Sequence, residues 1–429
     1  MKELKSVMNM LKFISSISFM YVGILMCTAC SDETPTDDNI DPPIENSISF
    51  DWDTKQWDGL PDDGRYTIED GAKTTPVTVA EGNGSNYTTA STKYYNTRIP
   101  AAEVANDGSL ILLWQGRFDG TDRGNDHLLI SRSTDFGQTW TEQAIFTENT
   151  VDLGDNSLVI DRSNGRLFAI GYSGGLAEKQ LIYYSDDNGV TWIKLDHEPI
   201  TNLSGEPLRM RGTTGIQIAK GDNNALIMPA IAGSNKLAYM TCLAGSKSWR
   251  FLAEHDVKAW NEPTIVEMAD NNSDVSILNV TRRADTHNNK MFKRQAISKL
   301  NAASLITAWT PISDTEDFSF NATTCNQHLK RYTGINDGKA SRILYASTTQ
   351  GVGYSPSRYG GTVAYSDDEG LTWNSKELIA TDTHFGYCIQ VVMPDGTIGL
   401  FYETHNDSGK EVRYGAIKFV RYTMDWLIK

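Results

Sequence analysis

Arginines beside short strand-like segments are the first residues in this chain that point to chemistry. Arg98 opens one such segment, Arg282 and Arg283 close a second, and Arg358 lies in a polar stretch ahead of a third. Any one of them alone is more often a surface residue. Brought together from separate segments, they would form a cationic site for a carboxylate, because each guanidinium can donate paired, charge-assisted hydrogen bonds.

Acidic residues and one tyrosine occupy similar positions at the borders of strand-like segments. They are Glu262, Glu403 and Tyr387, together with Asp119, Asp122 and Asp126 in the polar loop 116–126. A tyrosine in such a place is more often a core aromatic than a reactive group. Residues so far apart in sequence can form one site only in a fold that brings their loops to a common face.

Three copies of one eight-residue pattern indicate such a fold. The pattern Ser-x-Asp-x-Gly-x-Thr-Trp spans 133–140, 185–192 and 366–373, each time after a short apolar, β-prone run. Its Asp can accept backbone N–H bonds within a turn, its Gly allows a positive φ angle, and its Trp can pack the turn onto its sheet. These three turns, called boxes below, predict a repeated strand–turn–strand unit.

The spacing of the boxes predicts an all-β fold. Degenerate copies at 245–249 and 298–305 make the units start about 50 to 70 residues apart, and hairpin signals recur between them. A unit of four antiparallel strands with that period is typical of a propeller blade. Residues 94–429 then correspond to a six-bladed β-propeller of four-stranded antiparallel blades, with seven blades as the alternative.

Charge and cysteine content restrict the classes of function. The formal net charge of −15 argues against nucleic acid or an anionic membrane surface as the main partner. Cys242, Cys325 and Cys388 have no tight spacing, so we expect small buried side chains rather than a metal site or a disulfide framework. We expect no metal, no cofactor and a monomeric protein.

Residues 1–30 have the features of a targeting segment. Lys2, Lys5 and Lys12 precede the apolar stretch 13–26, which is short for a membrane span. Small residues then lead to Cys30, which acidic residues follow, as at a lipoprotein processing site. We expect lipidation of Cys30 and an anchor in the bacterial outer membrane, with the chain facing the periplasm or the cell surface. An ordinary secretory signal is the alternative.

Two further segments precede the propeller. Residues 31–47 contain six acidic residues, three prolines and no basic residue, a composition that predicts a disordered, extended tether. Residues 48–93 are rich in Gly, Asp and Thr and alternate only weakly between apolar and polar. We expect an irregular lead-in with one or two strands.

The order of motifs between about residues 96 and 403 resembles that of bacterial exo-α-sialidases, the neuraminidase family of six-bladed propellers with such boxes. The matching motifs are Arg98-Ile99-Pro100, an Asp-Gly hairpin, Arg117, the aspartate loop, the first box, Asn261-Glu262-Pro263, an Asn-x-x-Arg run ending at Arg282, Arg358, Gly386-Tyr387, the run 395–399 and Tyr402-Glu403. The boxes alone occur in secreted proteins of several functions, whereas the ordered set is much more specific.

The resemblance implies a role for each matching residue. Arg98, Arg282 and Arg358 would hold the carboxylate of sialic acid, Glu403 would brace Arg98, Tyr387 would be the nucleophile, Glu262 its general base, Asp122 the acid/base, and Arg117 would line the site. The family usually has one residue between the Asn and the third arginine, and this chain has two, so Arg283 is an alternative to Arg282. Asp119 and Asp126 likewise compete with Asp122.

The implied function is that of a retaining exo-α-sialidase. It would hydrolyse terminal α-linked sialic acid from glycoproteins, glycolipids or oligosaccharides through a covalent sialyl-tyrosine intermediate. One alternative is a propeller that binds sialylated glycans without cleaving them, although binding alone needs no tyrosine–glutamate pair. Another is a glycosidase for neutral polysaccharides, which would need two carboxylates and has no use for three arginines. Linkage preference and the choice among free, anhydro and transferred product stay open.

Overall fold

The computed structural model describes residues 48–429 with internal gaps at 52–55, 59–67, 70, 89–91, 123, 148–152, 174–178, 221–223, 234, 256–259, 271–274, 284–292, 301–305, 314–324, 350–357 and 408–411. The described residues belong to one compact unit, Asn46–Lys429. The expected targeting segment with Cys30 and the expected tether 31–47 lie outside the described residues.

Six antiparallel sheets form the body of the protein. They are preceded by a hairpin of β1 (Ser49–Asp51) and β2 (Gln56–Asp58) and by β3 (Val77–Glu81). Blade 1 contains β4 (Asn96–Val104), β5 (Leu110–Arg117), β6 (Asp126–Ser133) and β7 (Thr141–Phe146). Blade 2 contains β8 (Leu153–Asp161), β9 (Arg166–Ser173), β10 (Lys179–Ser185) and β11 (Ile193–Lys194).

The remaining blades repeat this order. After the short strand β12 (Thr213–Thr214), blade 3 contains β13 (Ile216–Gln217), β14 (Leu226–Ala232), β15 (Lys236–Cys242) and β16 (Arg250–Glu254). Blade 4 contains β17 (Trp260–Glu267), β18 (Val275–Arg283), β19 (Lys293–Leu300) and β20 (Ile306–Ser313). Blade 5 contains β21 (Gln327–Arg331), β22 (Ile343–Thr348), β23 (Tyr359–Ser366) and β24 (Asn374–His384). Blade 6 contains β25 (Cys388–Val392), β26 (Ile398–Thr404) and β27 (Ala416–Tyr422), and the helix α1 (Met424–Ile428) follows.

These sheets confirm the predicted propeller, with one difference in strand number. Five sheets have four strands, whereas the sheet of blade 2 has a fifth, because β12 pairs in parallel with β8. Only Gly215 separates β12 from β13, the first strand of blade 3. β12 thus leads directly into the first strand of blade 3, and its pairing with β8 connects the backbones of blades 2 and 3.

The ring closes through a strand from the lead-in. β3 is the fourth strand of blade 6 and pairs antiparallel with β27, with Ala416 opposite Glu81. Residues 77–81 are therefore part of the propeller, and its boundary lies upstream of the expected position at residue 94. The reason is topological: a ring of blades needs a bond between its first and last parts, and the N-terminal segment supplies the missing strand.

The three boxes form the turns between the third and fourth strands of blades 1, 2 and 5. In the first box, Asp135 accepts hydrogen bonds from the backbone N–H groups of Gln138 (3.0 Å) and Thr139 (2.9 Å), and Gly137 has a φ angle of 87°. Trp140 packs on Phe401 and Phe419 at ring-centroid distances of 5.5 and 5.8 Å. Both phenylalanines belong to blade 6, so the box joins neighbouring blades as well as covering its own sheet.

One of the degenerate boxes occupies the equivalent turn of blade 3. Residues 243–249 connect β15 to β16, and Trp249 packs edge to face on Phe168 of the preceding blade at 5.3 Å. The other degenerate copy begins in the last three residues of β19, and its residues 301–305 lie outside the described part of the chain. Blade 6 has no such turn, because its third and fourth strands are not consecutive in sequence. This explains why five box positions accompany six blades.

Apolar side chains between adjacent blades form the core. Leu112 of blade 1 and Phe401 of blade 6, for example, are fully buried in one cluster. Burying a side chain of this size stabilises the fold by about 1.5–3 kcal/mol. Cys242, Cys325 and Cys388 are buried, as expected for small core residues. Among the described residues, no helix is long and apolar enough to cross a membrane.

Candidate active site

The sequence-predicted site residues meet at one end of the central channel. The first strands of the blades contact one another around this channel, and Arg98, Asp155 and Glu262 lie near the starts of β4, β8 and β17. Tyr387 directly precedes β25. The boxes lie at the opposite end, because β6 runs from Asp126, which pairs with Arg117 near the site, to Ser133, where the first box begins.

Tyr387 and Glu262 form the centre of the site. The Tyr387 hydroxyl donates a hydrogen bond to Oε1 of Glu262, and the two residues are 5% and 3% exposed. Burial, followed by the neighbouring Glu262 carboxylate, raises the pKa of Tyr387 well above its ordinary value. The phenol is therefore protonated in this state, and the carboxylate is placed to accept its proton.

A strained backbone segment positions Glu262. Its φ angle is 48°, and the register of β17 against β18 shifts between Asn261 and Pro263. A bulge of this kind redirects a side chain out of the regular alternation of a strand, and its strain persists only where surrounding contacts hold it. Here the Gln327 amide donates to the Glu262 carbonyl at 2.6 Å, and Arg282 Nη1 donates to Oε1 at 2.7 Å.

Glu403 holds Arg98 and Tyr387 together. Its Oε1 accepts hydrogen bonds from Arg98 Nε (2.8 Å) and the backbone N–H of Ile99 (2.7 Å), and its Oε2 accepts from the backbone N–H of Tyr387 (3.2 Å). Ile99 has a φ angle of 58°, which is unfavourable for a β-branched residue, and lies in a second register shift. The fully buried carboxylate thus fixes two functional residues and a strained backbone.

Three arginines surround Tyr387. The guanidinium carbons of Arg98 and Arg358 lie 5.3 and 5.2 Å from the centroid of its ring, and Arg282 contacts the same Glu262 oxygen as the Tyr387 hydroxyl. Arg282, one of the two alternatives predicted for the third arginine, therefore lies beside Glu262 and Tyr387. The side chain of Arg283 lies outside the described residues.

The three candidate aspartates have different surroundings. Asp122 contacts Arg117 Nη1, lies 3.5 Å from Arg98 Nη1, and has a side chain that is 79% exposed. Asp126 is 1% exposed beneath Arg117, at 3.9 Å from its Nε. Asp119 accepts hydrogen bonds from the backbone N–H and the hydroxyl of Thr121, both at 2.9 Å, and so shapes its own loop. Of the three, Asp122 combines contact with the arginines and access to solvent.

The pKa shifts of Asp122 and Asp126 have opposite directions. Burial raises the pKa of Asp122, but the charges of Arg117 and Arg98 outweigh burial, so that its pKa lies below the ordinary value. Burial raises the pKa of Asp126 to about 8, since its contact with Arg117 is too long to compensate. At pH 7 Asp122 is therefore ionised, whereas Asp126 is mostly protonated.

Two residues at the site were not predicted from the sequence. Asp155 lies at the start of β8, next to a register shift between Gly154 and Ser157, and pairs with Arg211 Nη1 at 3.5 Å. Its place near the start of a first strand matches that of Arg98, which is the signal that could have identified it. Tyr414 lies outside any strand, with its ring 4.1 Å from the Arg98 guanidinium carbon, and no sequence pattern marks it.

A separate cavity lies at the other end of the channel. It has a volume of about 550 Å³ and is lined by the last residues of the first strands, among them Glu103, Val159, Glu267 and Lys330. Because Arg98 and Glu103 lie at opposite ends of β4, this cavity is distinct from the site around Tyr387.

In the described residues no group of three or more His, Cys, Asp or Glu side chains is arranged to hold a metal ion.

Comparison with known proteins relates the chain to sialidases. It is 26% identical over 367 residues to a sialidase of Micromonospora viridifaciens, a match that covers 77% of this chain and 52% of the relative. It is 30% identical over 186 residues to a sialidase of Clostridium perfringens, covering 36% of this chain and 47% of that protein. The chain thus spans about half the length of the curated relatives that it matches.

A solved structure shows the same fold. The intramolecular trans-sialidase of Ruminococcus gnavus superposes with a TM-score of 0.59 at 17% identity, over 82% of this chain and 97% of that chain. No family model matches the sequence. The chain is thus similar in sequence to bacterial sialidases and shares the fold of this solved structure, in agreement with the resemblance found in the sequence.

Proposed function

We propose that this homologue of bacterial sialidases is itself a retaining exo-α-sialidase, which hydrolyses terminal α-linked sialic acid from glycoproteins, glycolipids or oligosaccharides. The observation that carries the proposal is the hydrogen bond between the Tyr387 hydroxyl and Glu262 beside Arg98, Arg282 and Arg358. This arrangement suits a substrate that carries a carboxylate on its reacting carbon, as sialic acid does.

The charges of the site fit one carboxylate. Counting Arg117 and the ionised Asp122 beside it, four guanidinium groups face three carboxylates, which leaves one positive charge. A sialic acid carboxylate neutralises that charge and forms charge-assisted hydrogen bonds with the arginines. The same arginines stay in place as the sugar ring becomes oxocarbenium-like, so they act on the transition state without reorganising.

The tyrosine is a suitable nucleophile because it is neutral. A carboxylate nucleophile about 4 Å from the sialic acid carboxylate would meet a repulsion of about 4 kcal/mol at an effective dielectric constant near 20. That repulsion corresponds to roughly a thousandfold in rate. Tyr387 avoids it and loses its proton to Glu262 as its oxygen attacks the anomeric carbon. Water then hydrolyses the sialyl-tyrosine, so that the configuration is retained.

Asp122 is the proposed acid and base. Its exposed carboxyl group lies between the arginines and solvent, where the leaving glycosidic oxygen must depart. A substrate carboxylate bound at Arg98 cancels part of the positive charge that keeps Asp122 ionised. Substrate binding should therefore raise its pKa and favour the protonated form, which donates a proton to the leaving oxygen and later takes one from water.

The assignment is tested with Tyr387→Phe and a fluorogenic α-sialoside. We expect the variant to lose hydrolysis, while its melting temperature and its affinity for free sialic acid stay close to those of the wild-type protein. Tyr365→Phe is the matched control, because Tyr365 lies in blade 5 directly before the third box, at the end of the blade that is away from the site. Undiminished turnover by Tyr387→Phe would overturn the nucleophile assignment. Binding without any product in the wild-type protein would instead favour a sialoglycan-binding propeller.

Anchorage and assembly form a second part of the proposal. We propose that Cys30 is lipidated and holds a monomeric enzyme at the outer membrane, facing the periplasm or the cell surface. Mass spectrometry of the mature N-terminus would detect the lipid, and Cys30→Ser should release the protein into the soluble fraction. An unmodified, soluble wild-type protein would support an ordinary secretory signal instead.

A further inference from the structure

The ring of Tyr414 lies against two of the three arginines. Its centroid is 4.1 Å from the guanidinium carbon of Arg98 and 5.5 Å from that of Arg358. The ring of Tyr387 contacts the same two groups at 5.3 and 5.2 Å. Arg98 and Arg358 thus share two aromatic partners, only one of which is the proposed nucleophile.

The backbone fixes Tyr414 in this position. Its φ angle is 59°, and its carbonyl accepts a hydrogen bond at 3.0 Å from the backbone N–H of Thr97, the residue before Arg98. The ring is 9% exposed, and a β-carbon placed on Gly386, the residue before Tyr387, would lie only 3.1 Å from it. A non-glycine residue at positive φ is uncommon and indicates that surrounding contacts hold it.

Two further side chains contact the ring of Tyr414. The guanidinium carbon of Arg413 lies 5.0 Å from its centroid. His384 packs on Tyr414 at a ring-centroid distance of 4.9 Å and is 4% exposed. Burial, together with the nearby cations, lowers the pKa of His384 to about 3. At neutral pH His384 is therefore uncharged and adds no positive charge to the three guanidinium groups that contact the ring.

An aromatic face solves a particular problem of this site. Arg98 and Arg358 carry like charges, and burial and the charge of Arg358 lower the pKa of Arg98, although Glu403 and the neighbouring tyrosines raise it above its ordinary value. Further carboxylates would relieve the repulsion, but they would occupy the N–H groups that a substrate carboxylate needs. The negative face of an aromatic ring attracts a guanidinium from its flat side and leaves the in-plane N–H donors available.

We propose that Tyr414 is a positioning residue that holds Arg98 and Arg358 together, so that both can bind the substrate carboxylate. The proposal rests on the proposed sialidase function and adds a residue to its carboxylate site. It requires the aromatic ring and not the hydroxyl group of Tyr414. It also requires that the contribution depend on the charge of the ligand.

The test compares three substitutions. Tyr414→Leu removes the aromatic face, and Tyr414→Phe keeps it. Tyr184→Leu is the matched control, because Tyr184 lies in blade 2 beside the second box, and its ring contacts a different cation, Lys247 of the turn 243–249, at 3.5 Å. We expect Tyr414→Leu to raise KM for the fluorogenic sialoside about tenfold or more, with a smaller change in kcat. Tyr414→Phe and Tyr184→Leu should stay within about twofold of wild type in KM, since neither removes a ring beside the arginines.

Ligand charge separates positioning from a general packing defect. The inhibitor 2-deoxy-2,3-didehydro sialic acid carries the carboxylate, and its methyl ester does not. Tyr414→Leu should lose affinity for the acid and keep its affinity for the ester. Should this variant fail to fold, a ring-fluorinated phenylalanine at position 414 preserves the shape while weakening the negative face, and KM should rise with fluorination.

The outcomes distinguish this proposal from the proposed function. A wild-type KM in a folded Tyr414→Leu, equal losses in Tyr414→Phe and Tyr414→Leu, or equal losses for acid and ester would each overturn the positioning role. If the wild-type protein binds the inhibitor but turns over no sialoside, the enzymatic function fails, and the comparison of acid and ester still decides the role of Tyr414.

Discussion

The Tyr387 hydroxyl donates a hydrogen bond to Glu262, a residue 125 positions away in the sequence and in a different blade. Arg282 donates to the same carboxylate oxygen at 2.7 Å. One buried carboxylate oxygen therefore accepts hydrogen bonds from both a phenol and a guanidinium group. The geometry therefore links the proposed base, Glu262, to Arg282, whose guanidinium group would bind the substrate carboxylate.

Glu262→Gln tests the base directly. Glutamine keeps the shape of the side chain but cannot take the phenol proton, so kcat should fall about 10²- to 10⁴-fold. The positive charge of Arg282 then lacks its partner, and the affinity for a carboxylate inhibitor should stay equal or increase. Steady-state kinetics and inhibitor titration measure both quantities. Wild-type kcat in this variant would exclude Glu262 as the base.

Glu403→Gln tests the brace. Glu403 is fully buried, and replacing it leaves Arg98 without the charged partner of its Nε–H group. Breaking a buried ion pair on one side costs about 3–5 kcal/mol, and the amide recovers part of this by accepting one hydrogen bond. We expect a lower free energy of unfolding in urea together with a higher KM. The exposed Glu377→Gln serves as the control, and equal stability of the two variants would contradict the brace.

The fold was predictable because its signals are local. Each box needs only eight consecutive residues, and the hydrogen bonds of Asp135 and the positive φ of Gly137 follow from the chemistry of those residues. Ring closure by β3 was not predictable, since a five-residue strand with a weak alternation carries no sign of a partner more than 300 residues away.

The candidate site was predictable where an ordered set of motifs exists. Arg98, Glu262, Tyr387 and Glu403 all come together in the structure. The sequence left Arg282 and Arg283 as alternatives, because adjacent residues in one strand look alike in a sequence, whereas the contact of Arg282 with Glu262 is visible only in the structure. Tyr414 was missed because its position depends on a positive φ angle and on contacts from other blades, neither of which leaves a pattern.

Asp122→Asn tests the acid through the leaving group. General acid catalysis contributes about 10²- to 10⁴-fold when the leaving oxygen is an alkoxide, and much less for an acidic phenol. We therefore expect a large loss on a sialyl-oligosaccharide and a small loss on the fluorogenic aryl sialoside. Asp119→Asn is the matched control in the same loop, and it should retain both activities if it only shapes the loop. Equal losses of Asp122→Asn on both substrates would contradict the assignment.

The pH profile provides an independent test of Asp122. An acid must be protonated, so the rate falls as pH rises through its pKa. In the free protein, Arg117 and Arg98 hold that pKa below its ordinary value despite burial. Substrate binding should raise it, so the descending limb should lie at higher pH in kcat than in kcat/KM. Coincident limbs would show that the substrate carboxylate does not affect Asp122.

A pair of neighbouring aspartates separates the structural role of the boxes from catalysis. Asp187 accepts hydrogen bonds from the backbone N–H of Thr191 (2.9 Å) and from the hydroxyl groups of Thr191 (2.6 Å) and Ser185 (2.7 Å). Asp186, one residue earlier, forms a surface ion pair with Arg166 at 2.5 Å and has a side chain that is 49% exposed.

The two substitutions should therefore differ in stability and agree in activity. Asp187→Ala leaves several polar groups of the turn without a partner and should lower the free energy of unfolding by about 1–3 kcal/mol. Asp186→Ala removes an exposed pair worth about 0–1 kcal/mol. Because the box lies at the end of blade 2 away from Tyr387, both folded variants should keep wild-type kcat/KM. A selective loss of activity in Asp187→Ala at equal stability would mean that the box acts on the site, which this geometry does not provide.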